Sequence, residues 1–510
     1  MINYTPQNQL SLELFKHPFE QALDKNNRWI KLAELVPWDS LAGIYAQKLD
    51  SNNGRKSVNI RIVIAAIIIK HKLRLDDRGT VEMIQENIYL QYFCGLPGFS
   101  TKPVFDPSLF VDIRKRLGNE EFDKFNQLVI DKSEGLKPHQ SRIKSPGNKK
   151  SNNEGGEAGS GTKKNKGTLK VDATVADQEI TYPTDLKLLN AARENLERIT
   201  DLLYIRSIDG TKPRDYRRVA RKDYLLVAKK KRKTKKEIRK GVKKQLQYVA
   251  RDIKIVDKLL AQPGRQNILN KRDRKLIETI KLVYSQQKQM YDSKTHKCDN
   301  RIVNLYQPHV RPIVRGKDKT KVEFGAKINI SEVNGFSRID RLDWEAYNEG
   351  GDAIMQVKNY KQIYGRYPKT FLGDGIYLTR ENRKFFKEKG IEICGKPLGR
   401  PPKQNMETPS QKYRKKKKAA QRNLVEGKLG QGKRGYGLNN ILARLPETSE
   451  SWIASIFFVM NLVKLIEVAQ KIKGSFLAFI KLARIFIFKG NNFCSGSISQ
   501  PWNSKLVLSM

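Results

Sequence analysis

The chain has 510 residues, enough for two or three domains with a sizeable core. Lysine and arginine number 99 against 53 acidic residues, a net charge of +46 that calls for a polyanionic partner and salt-sensitive binding. Cys94, Cys298, Cys394 and Cys494 are far apart and form no CxxC pair, which excludes a disulfide framework and points to a reducing cytosol.

Residues 12 to 135 read as mostly helical. Val58 to Leu73 is strongly apolar and reads as a buried helix, with a strand as the alternative because of its β-branched content. Asp76-Asp77-Arg78-Gly79-Thr80 predicts a turn. The following stretch predicts one helix ending at Gly95. Asp106-Pro107-Ser108 opens another, with proline in the first turn. Two helices joined by a short turn fit a helix-turn-helix-like unit, or equally a plain helical scaffold. Residues 136 to 167 are rich in Gly, Ser, Asn and Lys and predict a disordered linker.

A short β-branched run from Thr168 then delivers Asp172. After Tyr182-Pro183-Thr184-Asp185 the pattern is helical to about Tyr306. Ile238, Val242, Leu246, Val249, Ile253, Val256 and Leu260 mark a long amphipathic helix. The basic run 229–240 just before it is either a solvated face or a phosphate-tracking stripe. Strands are expected at Val322–Ser331 and Phe336–Trp344, turning at Glu332-Val-Asn-Gly335. A helix follows at Ala353–Tyr364, then a short strand from Lys369 to Leu372 leading to Asp374. Another helix spans Arg380–Lys389, and a strand spans Ile391–Cys394. The Gly-Arg-Pro connector after Cys394 reads as a stiff polar loop or a minor-groove contact. Ile453 to Ile466 is apolar but interrupted by Asn461 and Lys464; it predicts a core helix too short to cross a bilayer. The N-terminus has no signal-peptide pattern.

Two acids at the ends of apolar runs, Asp172 and Asp374, are joined by a third in QRNLVEGKLGQGK. There Arg422 stands four residues before Glu426 and Lys433 seven after, so all three fall near one helix face. Three carboxylates are what a two-magnesium phosphoryl-transfer site requires, because hard divalent cations take oxygen ligands. Asp177, Asp185, Asp340 and Glu407 are competing acids with ordinary surface or capping explanations. Gly427, Gly430 and Gly432 predict either fraying after Glu426 or a close approach of DNA backbone.

The strings VDATVADQEITYPTDLKLLNAARE, IVNLYQPHVRPIVRGK, FLGDGIYLTRENRKFFKEKGI and RNLVEGKLGQGKRGYGLNNI resemble a DDE insertion-sequence transposase. The resemblance spans about residues 12 to 450. It implies an α/β catalytic domain of RNase H-like fold, a mixed sheet flanked by helices, over 168–450, with a helical insertion at about 183–318. It also implies an all-α DNA-binding domain at 1–135, leaving 451–510 as a C-terminal helix and tail. Arg422, Glu426 and Lys433 match the family's Y-x(2)-R-x(3)-E-x(6)-K signature, while its tyrosine position holds Ala419. The implied catalytic and metal-binding residues are Asp172, Asp374 and Glu426, holding two Mg²⁺ ions or Mn²⁺ in their place. The expected DNA contacts are Arg422, Lys433, Arg383, Lys229, Lys230, Lys231 and Arg232. The implied partners are double-stranded DNA, as element ends and target, and a second copy of the chain in a synaptic homodimer. No membrane is expected, and the location is the bacterial cytoplasm at the nucleoid. A non-catalytic basic nucleic-acid binder and a nuclease of the same fold are the alternative readings.

Overall fold

The computed structural model describes residues 2–4, 6, 23–49, 56–136, 164–314, 322–395 and 408–490, with side chains through residue 472 except that of Lys415. Most of the predicted linker, the Gly-Arg-Pro connector, Glu407 and the final tail lie outside these residues.

The described residues before 137 form seven helices: α1 Arg28–Leu35, α2 Trp38–Ala46, α3 Ile60–Leu73, α4 Asp77–Glu86, α5 Ile88–Cys94, α6 Leu109–Arg116 and α7 Asn119–Gly135. Burial on nearly every side lets α3 stay helical despite its β-branched residues. Asp76-Asp77-Arg78-Gly79-Thr80 is a helix start rather than a free turn. The Asp76 side chain accepts the Gly79 N–H at 2.7 Å and caps α4. The single helix expected up to Gly95 is broken at Asn87. Its side chain accepts the Tyr89 and Leu90 amides, so capping a new helix wins over continuing the old one.

The remaining elements follow in order: β1 Thr168–Asp177, α8 Asp185–Leu203, α9 Arg206–Asp209, α10 Arg217–Ala228, α11 Lys235–Leu260, α12 Lys271–Asp292, β2 Arg311–Val314, β3 Val322–Val333, β4 Phe336–Asp343, α13 Ala353–Tyr364, β5 Thr370–Leu372, α14 Arg380–Glu388, β6 Glu392–Ile393, α15 Pro409–Tyr436 and α16 Pro446–Gly490. The strands make one mixed sheet flanked by helices. β1 is central, antiparallel to β3 on one side and parallel to β5 on the other. β6 extends the sheet parallel to β5, while β2 and β4 lie end to end along the other edge of β3. Asn334 and Gly335, with φ of 55° and 90°, form the tight β3–β4 turn that needs left-handed backbone.

One face of the sheet packs Leu169, Val171 and Phe371 against α13 and α14. The other packs Ala176, Ala326, Ile328 and Ile330 into a core shared with the N-terminal helices, α15 and α16. Residues 164–167, at the end of the predicted linker, are tied to this unit. The Asn165 amide donates to Lys389 O at 2.7 Å, and Lys166 N–H donates to Tyr367 O at 3.2 Å.

The stretch Pro446–Ile472 of α16 is long and apolar enough to cross a membrane, unlike the shorter run visible in the sequence. Its most apolar window is nevertheless 72% buried inside the fold, and Trp452, Ile453, Phe457 and Phe458 sit in the core with α3, α6 and α7. Asn461 does not interrupt it. Its amide is fully buried and bonded to α7 and β4.

The helices between β1 and β2 have a core of their own, led by Leu189, Leu196, Val249 and Ile280. Within it Asp252 is buried and both carboxylate oxygens lack a hydrogen-bond partner. Burial, with Glu197 and Asp215 nearby, pushes its carboxyl up to about 8. A folded-state value above that of the free carboxyl means the stabilising contribution exists at low pH and is lost as pH rises toward and through 8. Thermal unfolding of Asp252→Asn is therefore expected at higher temperature than wild type at pH 8.5. The gap should narrow toward pH 5.

Candidate active site

The acid site is set up by strand register. In the parallel pair, Lys170 lies opposite Leu372. Two residues further along stand Asp172, in the middle of β1, and Asp374, just past the end of β5, so the two carboxylates stand side by side at one level. Gly373 fits that approach: a Cβ on it would lie 2.9 Å from Val171 Cγ2. Asp172 shares the alternation of Lys170, Thr174 and Ala176, and so belongs to the face covered by α15. One of its oxygens accepts the Ala173 amide at 2.8 Å. Asp374 stands just past β5, 57% exposed, at the start of a single 3₁₀ turn, Gly375–Tyr377.

α15 crosses β1 and β5 and brings the third acid. It starts in a capping box, Thr408 with Gln411, and ends at Gly437 in the left-handed conformation. It runs unbroken through Gly427, Gly430 and Gly432, so the predicted fraying after Glu426 does not occur. Arg422 forms an ion pair with Asp374 and reaches Glu426 at 3.2 Å. The sequence spacing thus puts a guanidinium between two carboxylates from different elements.

The other predicted residues fall elsewhere. Lys433 is on α15, but its ammonium is held by Asp177 at 3.5 Å and Glu323 at 3.3 Å. Asp177 lies five residues beyond Asp172 along β1, roughly 16 Å of strand, so Lys433 serves the far end of the sheet. Arg383 donates its Nε to Leu378 O at 2.9 Å, bracing the start of α14. Lys229, Lys230, Lys231 and Arg232 are exposed on the helical insertion, with Lys230 paired to Glu237 at 2.5 Å. Among the competing acids, Asp185 accepts from Arg301 and Gln287. Asp340 is pushed up to about 6 by burial and bonds Gln356 and Ser331.

Beneath the acids lies a buried polar network that sequence reading missed. The Tyr377 hydroxyl donates to Asn329 Oδ1 at 2.8 Å, and Asn329 donates to Asp352 Oδ2 at 2.9 Å. Asn329 is the cross-strand partner of Ala173, next to Asp172. The Asn382 amide donates to Gly350 O at 2.7 Å and Tyr377 O at 2.8 Å, clamping the loop after Asp374. Burial pushes the Tyr377 hydroxyl far above its ordinary range, and nearby Glu349 and Asp172 add to the effect. The available signal was Asn329 itself, a polar residue between two isoleucines in a buried strand.

In the N-terminal unit, α3 is enclosed and the exposed face of α4 carries Arg78, Glu82 and Glu86.

Two family profiles match the chain, and both describe transposases. Residues 371–463 match a transposase DDE domain, and residues 17–116 match a transposase domain (DUF772). The two matches support an insertion-sequence DDE transposase and indicate DNA transposition. It is also similar to the uncharacterized protein ORF8 in the nfe locus of Rhizobium meliloti, 23% identical over 190 residues, covering 36% of this chain and 79% of that protein. No solved structure matches it.

Proposed function

We propose that Asp172, Asp374 and Glu426 form the catalytic centre of an RNase H-like domain that cuts DNA at the element ends and joins the resulting 3′-hydroxyl to target DNA. The observation that carries this reading is the level placement of Asp172 in β1 and Asp374 just past the parallel strand β5, with Glu426 joined to Asp374 through Arg422.

DDE transposases generally use divalent metal ions. Among the described residues no three acid, histidine or cysteine side chains are already gathered as a cation cage. The donor chemistry nevertheless fits: the three acids offer hard oxygens, and the Arg422 guanidinium stands in as the cation between two of them. When bound, Mg²⁺ would supply activation of the attacking oxygen and stabilisation of charge on the phosphate. The chain's own contribution is placement. The strand register sets two acids level, Asn329 and Asn382 fix the loop after Asp374, and Arg422 offers a planar donor pair to a phosphate once it leaves the carboxylates.

Arg422 and a metal compete for Asp374 and Glu426. Arg422→Gln is therefore expected to tighten Mn²⁺ binding to the DNA-free protein by about tenfold, the size of one lost charge-assisted contact. Calorimetric or paramagnetic titration measures this. Weaker Mn²⁺ binding in the variant would show that Arg422 assembles the site instead of guarding it.

The acting species is read as a homodimer holding two element ends on double-stranded DNA in the cytoplasm. A strand-transfer assay with the DNA flanking the gene, in Mg²⁺ or EDTA, tests the whole proposal. Cutting without joining would identify a nuclease, and binding without product a non-catalytic binder.

A further inference from the structure

α15 is a polycation with a single acid. Its 28 residues include ten lysines and arginines, and Glu426 is the one carboxylate among them. Val425 and Leu429 turn into the core. At about 100° per residue, Arg422 and Glu426 then fall on one flank of the helix and Leu424 and Lys428 on the other. Between the flanks the outward ridge carries Ala420, Asn423 and Gly427, all exposed, and upstream of them Lys412, Arg414, Lys416 and Lys417 are exposed as well.

On the side away from Glu426 a cleft of about 580 Å³ opens between α15, α16 and the β3–β4 turn. Two of its lysines are neutralised: Lys170 pairs with Glu332 at 2.6 Å, and Lys464 with Glu467 at 2.9 Å. Lys428, between them, makes no ion pair among the described residues. Burial, and then Lys464 beside it, hold its ammonium below the ordinary lysine range. An anion entering the cleft would relieve that.

Gly427 needs a reason too, because glycine inside a helix is less stable than alanine. Packing supplies the reason at Gly432, where a Cβ would meet Leu438 at 3.3 Å and Met460 at 3.4 Å. At Gly427 a Cβ would meet nothing within 4 Å. Among the described residues nothing requires bare backbone there.

We propose that a DNA backbone crosses α15 at Gly427, passing from the flank of Glu426 into the cleft, where Lys428 receives a phosphate. The glycine is a notch in the ridge, and the cations along the helix hold the polyanion against it. This rests on the transposase reading and adds the path by which DNA leaves the acids.

The test uses the full chain without metal and a DNA duplex of random sequence, titrated over a range of salt. Gly427→Gln places a helix-favouring side chain in open space, so the melting temperature of the free protein should hold or rise. Its duplex affinity should fall about tenfold. Lys428→Gln should lower the slope of log K against log salt by about one, the signature of one lost phosphate contact. Lys281→Gln, exposed on α12, should leave that slope unchanged. Wild-type affinity and slope retained in both cleft variants would overturn the proposal and leave the transposase reading standing. Absence of duplex binding by the wild type would overturn both. If Gly427→Gln melts early, the Lys428→Gln slope alone decides.

Discussion

Asp374→Asn and Glu426→Gln should each lower Mg²⁺-dependent cutting and joining of DNA bearing the element ends by on the order of a thousandfold. That is the loss expected when a ligand worth several kcal/mol to the transition state is removed. Neither change should cost much stability. The two side chains are 57% and 50% exposed, and their partner Arg422 is itself 32% exposed, so the ion pairs are solvent-screened. Duplex affinity should hold or increase, because each variant removes a negative charge from a DNA-facing surface. Activity lost with folding and binding retained is the informative pattern. Gel analysis of cleaved and joined products reads it directly. Products unchanged in Asp374→Asn would mean that the chemistry lies elsewhere, and products unchanged only in Glu426→Gln would mean that another glutamate serves.

Asn461→Leu should destabilise the protein by about 4 kcal/mol, although it replaces a polar residue by an apolar one in an apolar helix. The Asn461 amide donates to Ser337 O and Asn126 Oδ1, each at 2.8 Å, and accepts from Ser337 N–H at 2.9 Å. It thus pairs with the outer edge of β4 as another strand would. Leucine there leaves two backbone groups and one side-chain oxygen buried without partners, each costing about 1–3 kcal/mol. Urea unfolding gives the value. A loss below about 1 kcal/mol would show that water reaches the β4 edge and that α16 is held by apolar packing alone.

Much of the architecture was legible in the sequence. The Asn-Gly turn, the α13 boundaries and the strand before Asp374 follow from local preferences that tertiary packing reinforces. The split at Asn87 was not legible, because a side chain that can cap a helix is an ordinary surface residue until the chain changes direction there. β2 was missed because four residues containing a proline carry little strand signal; β3 holds it. The depth of α16 was missed for a different reason. An apolar run reveals that it will be buried, but not that its partners are helices more than three hundred residues upstream.

The sequence by itself determined the charge, the two acids that follow short apolar runs and the Arg422–Glu426 spacing on a helix, because each depends on neighbours a few residues away. Only the tertiary structure decided that Asp172 stands level with Asp374, since that register joins segments some two hundred residues apart. It also decided that Arg422 bridges Asp374 to Glu426 while Lys433, on the same helix, goes to Asp177 and Glu323. A helix face sets which side chains share a direction. The sheet beneath it, running alongside for several turns, sets which partner each one meets.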